Sequence, residues 1–385
     1  MQKKRILFIA QSTKSWMGGV YYIKNQIVQL LSYVPARKKI RIYLYTNEEC
    51  AREYMQLSNY ANVSILYMEK ISTKSFVQIC KMIPDLDADI AYLVWKYNIS
   101  YIFPYFPKEK VNKILFLKKS ISWIPDFQHV HIPQIFSKKE IAYREREFKE
   151  VAYGHEKLVL SSQDAYMDYI KKYPNCGENI YIIPFCSALD KKIVQKNNVE
   201  KVKAKYGIRG NYFIICNQFW MHKNHMFAFK ALKKALETSP DIVIVCTGKL
   251  SDYRNRNYIY EIKEYIANNG MQKNVFLLGL IDKADQIQLI KGAIALIQPS
   301  LFEGWGTSVE DAKTLNKKIL LSDIPVHHEQ MNHNCQLFST VSPEELAKLI
   351  LQLWEKEKNC LQRSGFSFGD APKYGALFYK MLFNT

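Results

Sequence analysis

Acidic residues are scarce in this chain. It holds 36 Asp and Glu against 54 Lys and Arg, for a formal charge of +18. A surface of that sign favours anionic partners such as nucleotides, nucleic acid or acidic lipid headgroups, although a Lys-rich composition alone can produce it. Cysteine is present without a pattern. None of the eight forms a Cys-x-x-Cys pair, so neither a zinc site nor a disulfide framework is indicated, which suits a reducing compartment. Cys216 and Cys246 each end an apolar run and read as core thiols. Long hydrophobic runs are missing as well: no stretch reaches membrane-spanning length, and Ile6 to Ala10 is too short for a signal peptide. The expected location is cytoplasmic, with peripheral attachment to the inner face of the cell membrane left open. RNA-recognition, zinc-finger and arginine-rich patterns are absent, so nucleic acid is not an expected partner.

What the chain does have is alternation. Short apolar runs alternate with amphipathic segments, the signature of α/β layering. Strands are expected at Arg5–Ala10, Ile40–Tyr45, Val63–Tyr67, Ile90–Val94, Lys113–Leu117, Lys157–Leu160 and Ile180–Ile183, with helices between most of them. After a lysine-rich stretch the alternation restarts, with strands at Tyr212–Cys216, Ile242–Cys246, Val275–Leu278, Ala293–Gln298 and Lys318–Leu321. Runs that are apolar throughout point to strands covered on both faces. The expectation is two Rossmann-like domains in series: residues 1–190, residues 191–371, and a final helix over 372–385. Ligand would bind in the cleft between them, at strand C-terminal ends.

Several loops carry candidate chemistry. In Ser300-Leu-Phe-Glu-Gly-Trp-Gly-Thr-Ser-Val-Glu-Asp-Ala312 a strand passes into a helix. Gly304 and Gly306 permit close backbone approach, and amides at the helix start would face an anion. Thr307-x-x-Glu310 fits a capping box, while Asp311, about 100° further around the helix, is free to face a ligand. Asn217-Gln-Phe-Trp-Met-His-Lys-Asn-His225 follows the first strand of the second half. Its His222 and His225 lack a third ligand, so no metal is expected there. Trp123-Ile-Pro-Asp-Phe-Gln-His-Val-His-Ile-Pro133 reads as a polar turn or a functional loop. Trp16-Met-Gly-Gly-Val20 sits between the first strand and helix; it is not Gly-x-Gly-x-x-Gly, which argues against a dinucleotide-dependent dehydrogenase. Asp85-Leu-Asp-Ala-Asp89 reads as an acidic turn rather than a metal site. Lysines 108, 110, 113, 118 and 119 beside Tyr101 to Phe106 form either a solvated loop or a face for acidic headgroups.

Taken in order, the 299–312 loop, the Leu321-Ser-Asp-Ile-Pro-Val326 stretch and the 16–20, 123–133 and 217–225 loops resemble the GT4-type glycosyltransferases of GT-B fold, in particular a bacterial surface-polysaccharide subgroup. The resemblance implies that Glu303 contacts a hydroxyl of the donor sugar and that Asp311 contacts the ribose. The latter stands where the family's Glu-x7-Glu pattern has its second, longer acid. Gly304, Trp305, Gly306, Thr307 and Ser308 would bind sugar and phosphate, and Lys223 the pyrophosphate. Gln218 occupies the position where many members have a second cation, an Arg. His129 would reach the sugar and reaction centre, and Gly18 and Gly19 would lie near the donor phosphate and acceptor. The implied activity is sugar transfer from a nucleotide-sugar donor to a glycan or lipid-linked glycan, retaining and metal-independent. No cofactor is expected, the nucleotide-sugar being a substrate. A nucleotide-sugar epimerase or hydrolase of the same fold, and a non-catalytic basic protein binding polyanions or membrane, are the alternatives.

Overall fold

The computed structural model describes residues 4–10, 17–34, 40–357 and 371–383. Its strands are β1 (Lys4–Ala10), β2 (Ile40–Thr46), β3 (Val63–Tyr67), β4 (Tyr101–Phe103), β5 (Ser122–Ile124), β6 (Leu158–Leu160) and β7 (Ile180–Ile182), then β8 (Phe213–Cys216), β9 (Ile244–Thr247), β10 (Val275–Leu277), β11 (Ala295–Gln298), β12 (Lys318–Ser322) and β13 (Cys335–Phe338). All pairings among these strands are parallel. The expected α/β class, with two Rossmann-like units, holds. One compact unit comprises Met1–Phe127, Lys139–Ala188 and Asp370–Thr385; the other comprises Gln128–Lys138 and Leu189–Gly369.

The first unit has sheets ordered β3-β2-β1-β4 and β5-β6-β7. An isolated parallel bridge between Ile102 and Ser120 carries the pairing from β4 toward β5. Helix Met17–Tyr33 packs against helix Ala371–Phe383, so sequence-distant segments share one core. The ring of Phe378 stacks on Phe8, with centroids 5.8 Å apart, and meets Phe103 edge-on at 5.2 Å. The turn proposed to carry Gly18 and Gly19 is the first turn of helix Met17–Tyr33, with Gly18 exposed and Gly19 buried; Trp16 lies outside the described residues.

Two expected strands are helices. Residues Ile90–Val94 lie inside helix Ala88–Tyr97, and Lys113–Leu117 falls largely inside helix Lys110–Phe116. A five-residue apolar window cannot distinguish a period of 2 from one of 3.6. In the longer stretch the helical period is visible: Ile90 and Leu93 are buried, while Trp95 is 67% exposed. Asn98, at a φ of 47°, ends that helix in the left-handed region. The aspartates at its start serve local structure. Asp87 accepts from the Tyr105 hydroxyl and Asp89 from that of Tyr45. Several lysines of the basic segment also have protein partners: Lys108 pairs with Glu147, Lys113 lies over the ring of Phe106, and Lys119 donates to Ile99 O at 2.7 Å.

The second unit holds a six-stranded sheet ordered β10-β9-β8-β11-β12-β13. Relabelled by sequence this is 3-2-1-4-5-6, the doubly wound order whose switch point lies between its first and fourth strands. Those strands are β8 and β11. Apolar side chains of β8, β9, β11 and β12 are buried on both faces of the sheet, as continuous apolar runs require. Among the described residues no helix is long and apolar enough to cross a membrane.

Helix Ala371–Phe383 approaches its neighbour without room for a side chain at one point. A Cβ on Gly375 would lie 2.0 Å from Gln29 O and 2.7 Å from Gln29 C. Backbone atoms cannot rotate away, so Gly375→Ala should destabilise the protein by about 1–3 kcal/mol, the usual range for overpacking. A lowered denaturation midpoint with unchanged slope is the expected result; an unchanged midpoint would show that these helices are not in register.

Candidate functional site

The carboxyl ends of β8 and β11 are joined through side chains. Asn217, just past β8, and Gln298, the last residue of β11, exchange amide hydrogen bonds of 3.2 and 3.3 Å. Gln298 is fully buried. Its Nε2 also donates to Glu303 Oε1 at 2.6 Å, and its Oε1 accepts from Ser308 Oγ at 3.0 Å. The amide orientation follows from its partners, because an ionised carboxylate offers only acceptors.

Glu303 is the centre of this network. Its two carboxylate oxygens accept from Lys223 Nζ, each at 2.7 Å, and Oε1 also accepts from Ser300 Oγ at 2.7 Å. Burial would raise this carboxyl above its ordinary value, but the Lys223 ammonium and the hydrogen bonds overcome it and hold the group lower. Lys223 reaches the carboxylate from a short turn, Met221–Lys223, closed by its own amide to Trp220 O at 2.8 Å. A 2.8 Å bond from Leu301 N to His222 O ties the two loops together.

Backbone approach is close on the other side of this turn. Gly248 has a φ of 130°, and a Cβ there would lie 2.1 Å from Asn217 O. Only glycine fits such a position. Gln218, with a half-buried side chain, sits in the peptide that Gly248 approaches.

The helix Thr307–Thr314 corrects one expectation. Gly306 occupies its cap position, so Thr307 is the first helical residue and the capping box does not form. Glu310, 1% exposed, instead accepts from Gln330 Nε2 and Lys313 Nζ, both at 2.9 Å. Gln330 also grips Gly306 at both ends of its backbone, through Gly306 N (3.0 Å) and Gly306 O (3.2 Å). Asp311, equally buried, faces elsewhere: it pairs with Lys283, which also donates to Gln286 at 3.0 Å. Trp305 is buried, while Gly304 and Thr307 are partly exposed.

The segment 128–138 belongs to this same unit. His129 is buried in the short helix Gln128–His131. Its neighbour His131 lies against Phe302, ring centroids 5.3 Å apart, next to Glu303 in sequence. Gly18 and Gly19 belong to the first unit. Among the described residues no three His, Cys, Asp or Glu side chains gather as a metal site.

Sequence reasoning missed Gln298, Ser322, Lys283, Gln330 and His327. Ser322, which ends β12, donates to Ser300 O at 2.6 Å, and His327 Nδ1 meets Ser322 O at 2.8 Å. A carbonyl only accepts, so Nδ1 carries the proton. The one available signal was a polar residue closing an otherwise apolar strand, as Gln298 and Ser322 both do.

Three buried imidazoles line these loops. His225, stacked on Phe219 with centroids 3.9 Å apart, is pushed down to about 3 by burial and then by Lys223. Burial also lowers His222 and His327, the Glu303 charge opposing it in the latter. An unfolded chain protonates such rings near 6.5, whereas the fold keeps them neutral. Below that pH the unfolded state binds more protons, so stability is lost as pH falls. Glu303 acts with the same sign at lower pH, because its charged form is the one stabilised. The unfolding free energy should therefore fall between about pH 7 and pH 5, by up to about 1.4 kcal/mol per pH unit per ring, and the denaturation midpoint with it. His225→Phe, which keeps the stacking, should remove one ring's share. A flat profile in the parent protein would mean that the rings take up protons in the fold as readily as in the unfolded chain.

Residues 198–364 match the family described as glycosyl transferases group 1. Over 177 residues the chain is 27% identical to the O-antigen chain mannosyltransferase RfbU of Salmonella typhimurium; the match covers 46% of this chain and 45% of that protein. The structure of Anabaena Alr3699/HepE, solved with UDP and glucose, aligns over 98% of this chain and 95% of its own, with a TM-score of 0.65 and 17% identity. A glycosyltransferase from Rickettsia africae aligns over 100% and 94%, with a TM-score of 0.66 and 15% identity. At such identities the structural likeness establishes the fold. Residues 198–364 thus match the glycosyl transferases group 1 family, and the chain shares the GT-B fold of these structures over nearly its whole length.

Proposed function

We propose that the protein transfers a sugar from a nucleotide-sugar donor to a growing glycan, carried on a lipid at an anionic membrane surface. The observation that carries this reading is the buried Lys223–Glu303 pair at the switch point of a doubly wound sheet, beside the start of helix Thr307–Thr314. Switch points are where such sheets bind ligands, and helix N-termini favour phosphate. The name of RfbU, an O-antigen chain mannosyltransferase, and the UDP and glucose bound to Alr3699/HepE favour this substrate class. The +18 charge favours an anionic surface for the acceptor.

In this mechanism Lys223 works in two directions. An ammonium has three N–H donors, and two face Glu303, which leaves one for a donor phosphate oxygen. Glu303 accepts from a hydroxyl of the sugar and fixes its orientation. The acceptor hydroxyl oxygen bonds to the anomeric carbon on the face the leaving group departs from. The bond from that carbon to the diphosphate breaks, and the hydroxyl proton passes to a phosphate oxygen. Configuration is retained and no metal is required. Charge building on the leaving diphosphate is met by Lys223 and the amides of Thr307 and Ser308. Gly304, Trp305 and Gly306 shape the sugar side, with His129 orienting the reaction centre. Asp311, which pairs with Lys283, takes the ribose hydroxyls, whereas Glu310 is turned to Gln330 and Lys313.

A thermal-shift panel of nucleoside diphosphates and nucleotide-sugars tests the donor class. A true donor at a hundred times its Kd should add about 2.7 kcal/mol of stability. Lys223→Ala should lower turnover by about a hundredfold or more. Because this variant strands a buried carboxylate, Lys223→Ala with Glu303→Gln serves as the stability control. Unchanged transfer in Lys223→Ala would remove the centre of the mechanism. Rapid isomerisation of the donor sugar without acceptor would point to an epimerase instead.

A further inference from the structure

The loop after β9 brings one more cation to the turn that carries Lys223. Arg254 is almost enclosed, with 9% of its side chain exposed. Its Cζ lies 5.2 Å from the ring centre of Trp220, 5.1 Å from that of Tyr253 and 5.5 Å from that of Phe136. Asp252 holds it from behind: Oδ1 accepts from Arg254 N at 3.0 Å and from Nε at 3.3 Å. The same carboxylate accepts from Met221 N at 2.9 Å through Oδ2, so one acid positions both Arg254 and the Met221–Lys223 turn.

A guanidinium has five N–H bonds and no acceptor. One is spent on Asp252, and one of those on Nη2 faces His222 Nδ1 at 3.4 Å. That nitrogen must therefore accept, which leaves the imidazole neutral between Arg254 and Lys223; burial and these two cations hold it there. The other three N–H bonds, at the open end of the fork, meet no protein acceptor among the described residues. Three rings lie against this fork and restrict its plane. Planar forks of this kind fit phosphate oxygens bidentately.

The neighbouring cations are more fully occupied. Lys223 spans both oxygens of Glu303, while Lys283 is paired with Asp311 and Lys313 with Glu310. A donor diphosphate carries more charge than the one remaining Lys223 N–H and the helix amides answer, and Gln218 is neutral. Resting on the nucleotide-sugar reading above, we infer that Arg254 binds the diphosphate of the donor and supplies, from the loop after β9, the cation that residue 218 lacks.

The test is calorimetric titration of parent and variants with UDP, GDP, CDP and ADP and with their nucleosides. In Arg254→Gln the best-bound diphosphate should weaken about tenfold, while its nucleoside binds as in the parent. Arg254→Lys, which keeps a charge but loses the fork, should fall between the two and covers the case in which Arg254→Gln misfolds. Adding Gln218→Arg to Arg254→Gln should restore diphosphate affinity. Inorganic pyrophosphate, titrated alongside, should lose affinity in Arg254→Gln as the diphosphate does. Unchanged diphosphate affinity in a folded Arg254 variant overturns the inference, and so does an equal loss for diphosphate and nucleoside. If the parent binds no nucleotide at all, the donor reading itself fails together with this one.

Discussion

A carboxylate stays ionised inside a protein only when nearby groups answer its charge, and around Glu303 that condition organises the whole site. Lys223 supplies the charge, and Gln298 and Ser300 supply the remaining donors. Each of these is fixed in turn by a second contact. Gln298 is held by Asn217 and Ser308, Ser300 by the Ser322 hydroxyl on its carbonyl, and the lysine's turn by Leu301 and Asp252. A half-satisfied network of buried polar groups is worse than none. Here the requirement to satisfy one acid aligns three loops from three strand ends, and the pair it creates is neutral overall while keeping a donor in reserve.

The sheet makes this possible. Connections leave β8 in one direction and return to β11 from the other, so the loops at their carboxyl ends splay apart and leave a crevice. Asn217 and Gln298 bridge its floor. Gly248 lets the next loop close against the same peptide. Long polar side chains at strand ends cost little in the apolar layers beneath, because the strands bury their own apolar residues on both faces before the chain reaches them.

The fold was legible in the sequence where apolar runs were flanked by long amphipathic segments, as through most of the second half, although the edge strand Cys335–Phe338 was not foreseen. It was illegible in residues 88–124, where strands of only three residues, Tyr101–Phe103 and Ser122–Ile124, lie among short apolar helices. Period cannot be read from windows that short. Lys223 and Glu303, which the structure pairs with each other, could be picked out because each lies in a contiguous motif, in loops that resemble the family. Gln330 could not, since it grips a glycine 24 positions away, nor could Arg254, whose partners come from three separate loops. The capping box misled because Thr307 and Glu310 have the right spacing; what decides the matter is where the chain enters the helix, and it enters one residue earlier.

The unit that contains β1 is not contiguous in the chain. It is completed by helix Ala371–Phe383, whose Phe378 covers Phe8 and Phe103 and whose Gly375 seats it on Gln29. Synthesis runs from the first residue to the last, and domains generally fold as they emerge. The unit begun first is therefore finished last: its sheet must wait, with an apolar surface uncovered, while the second unit is made and can fold. For this protein the order of birth and the order of completion are reversed.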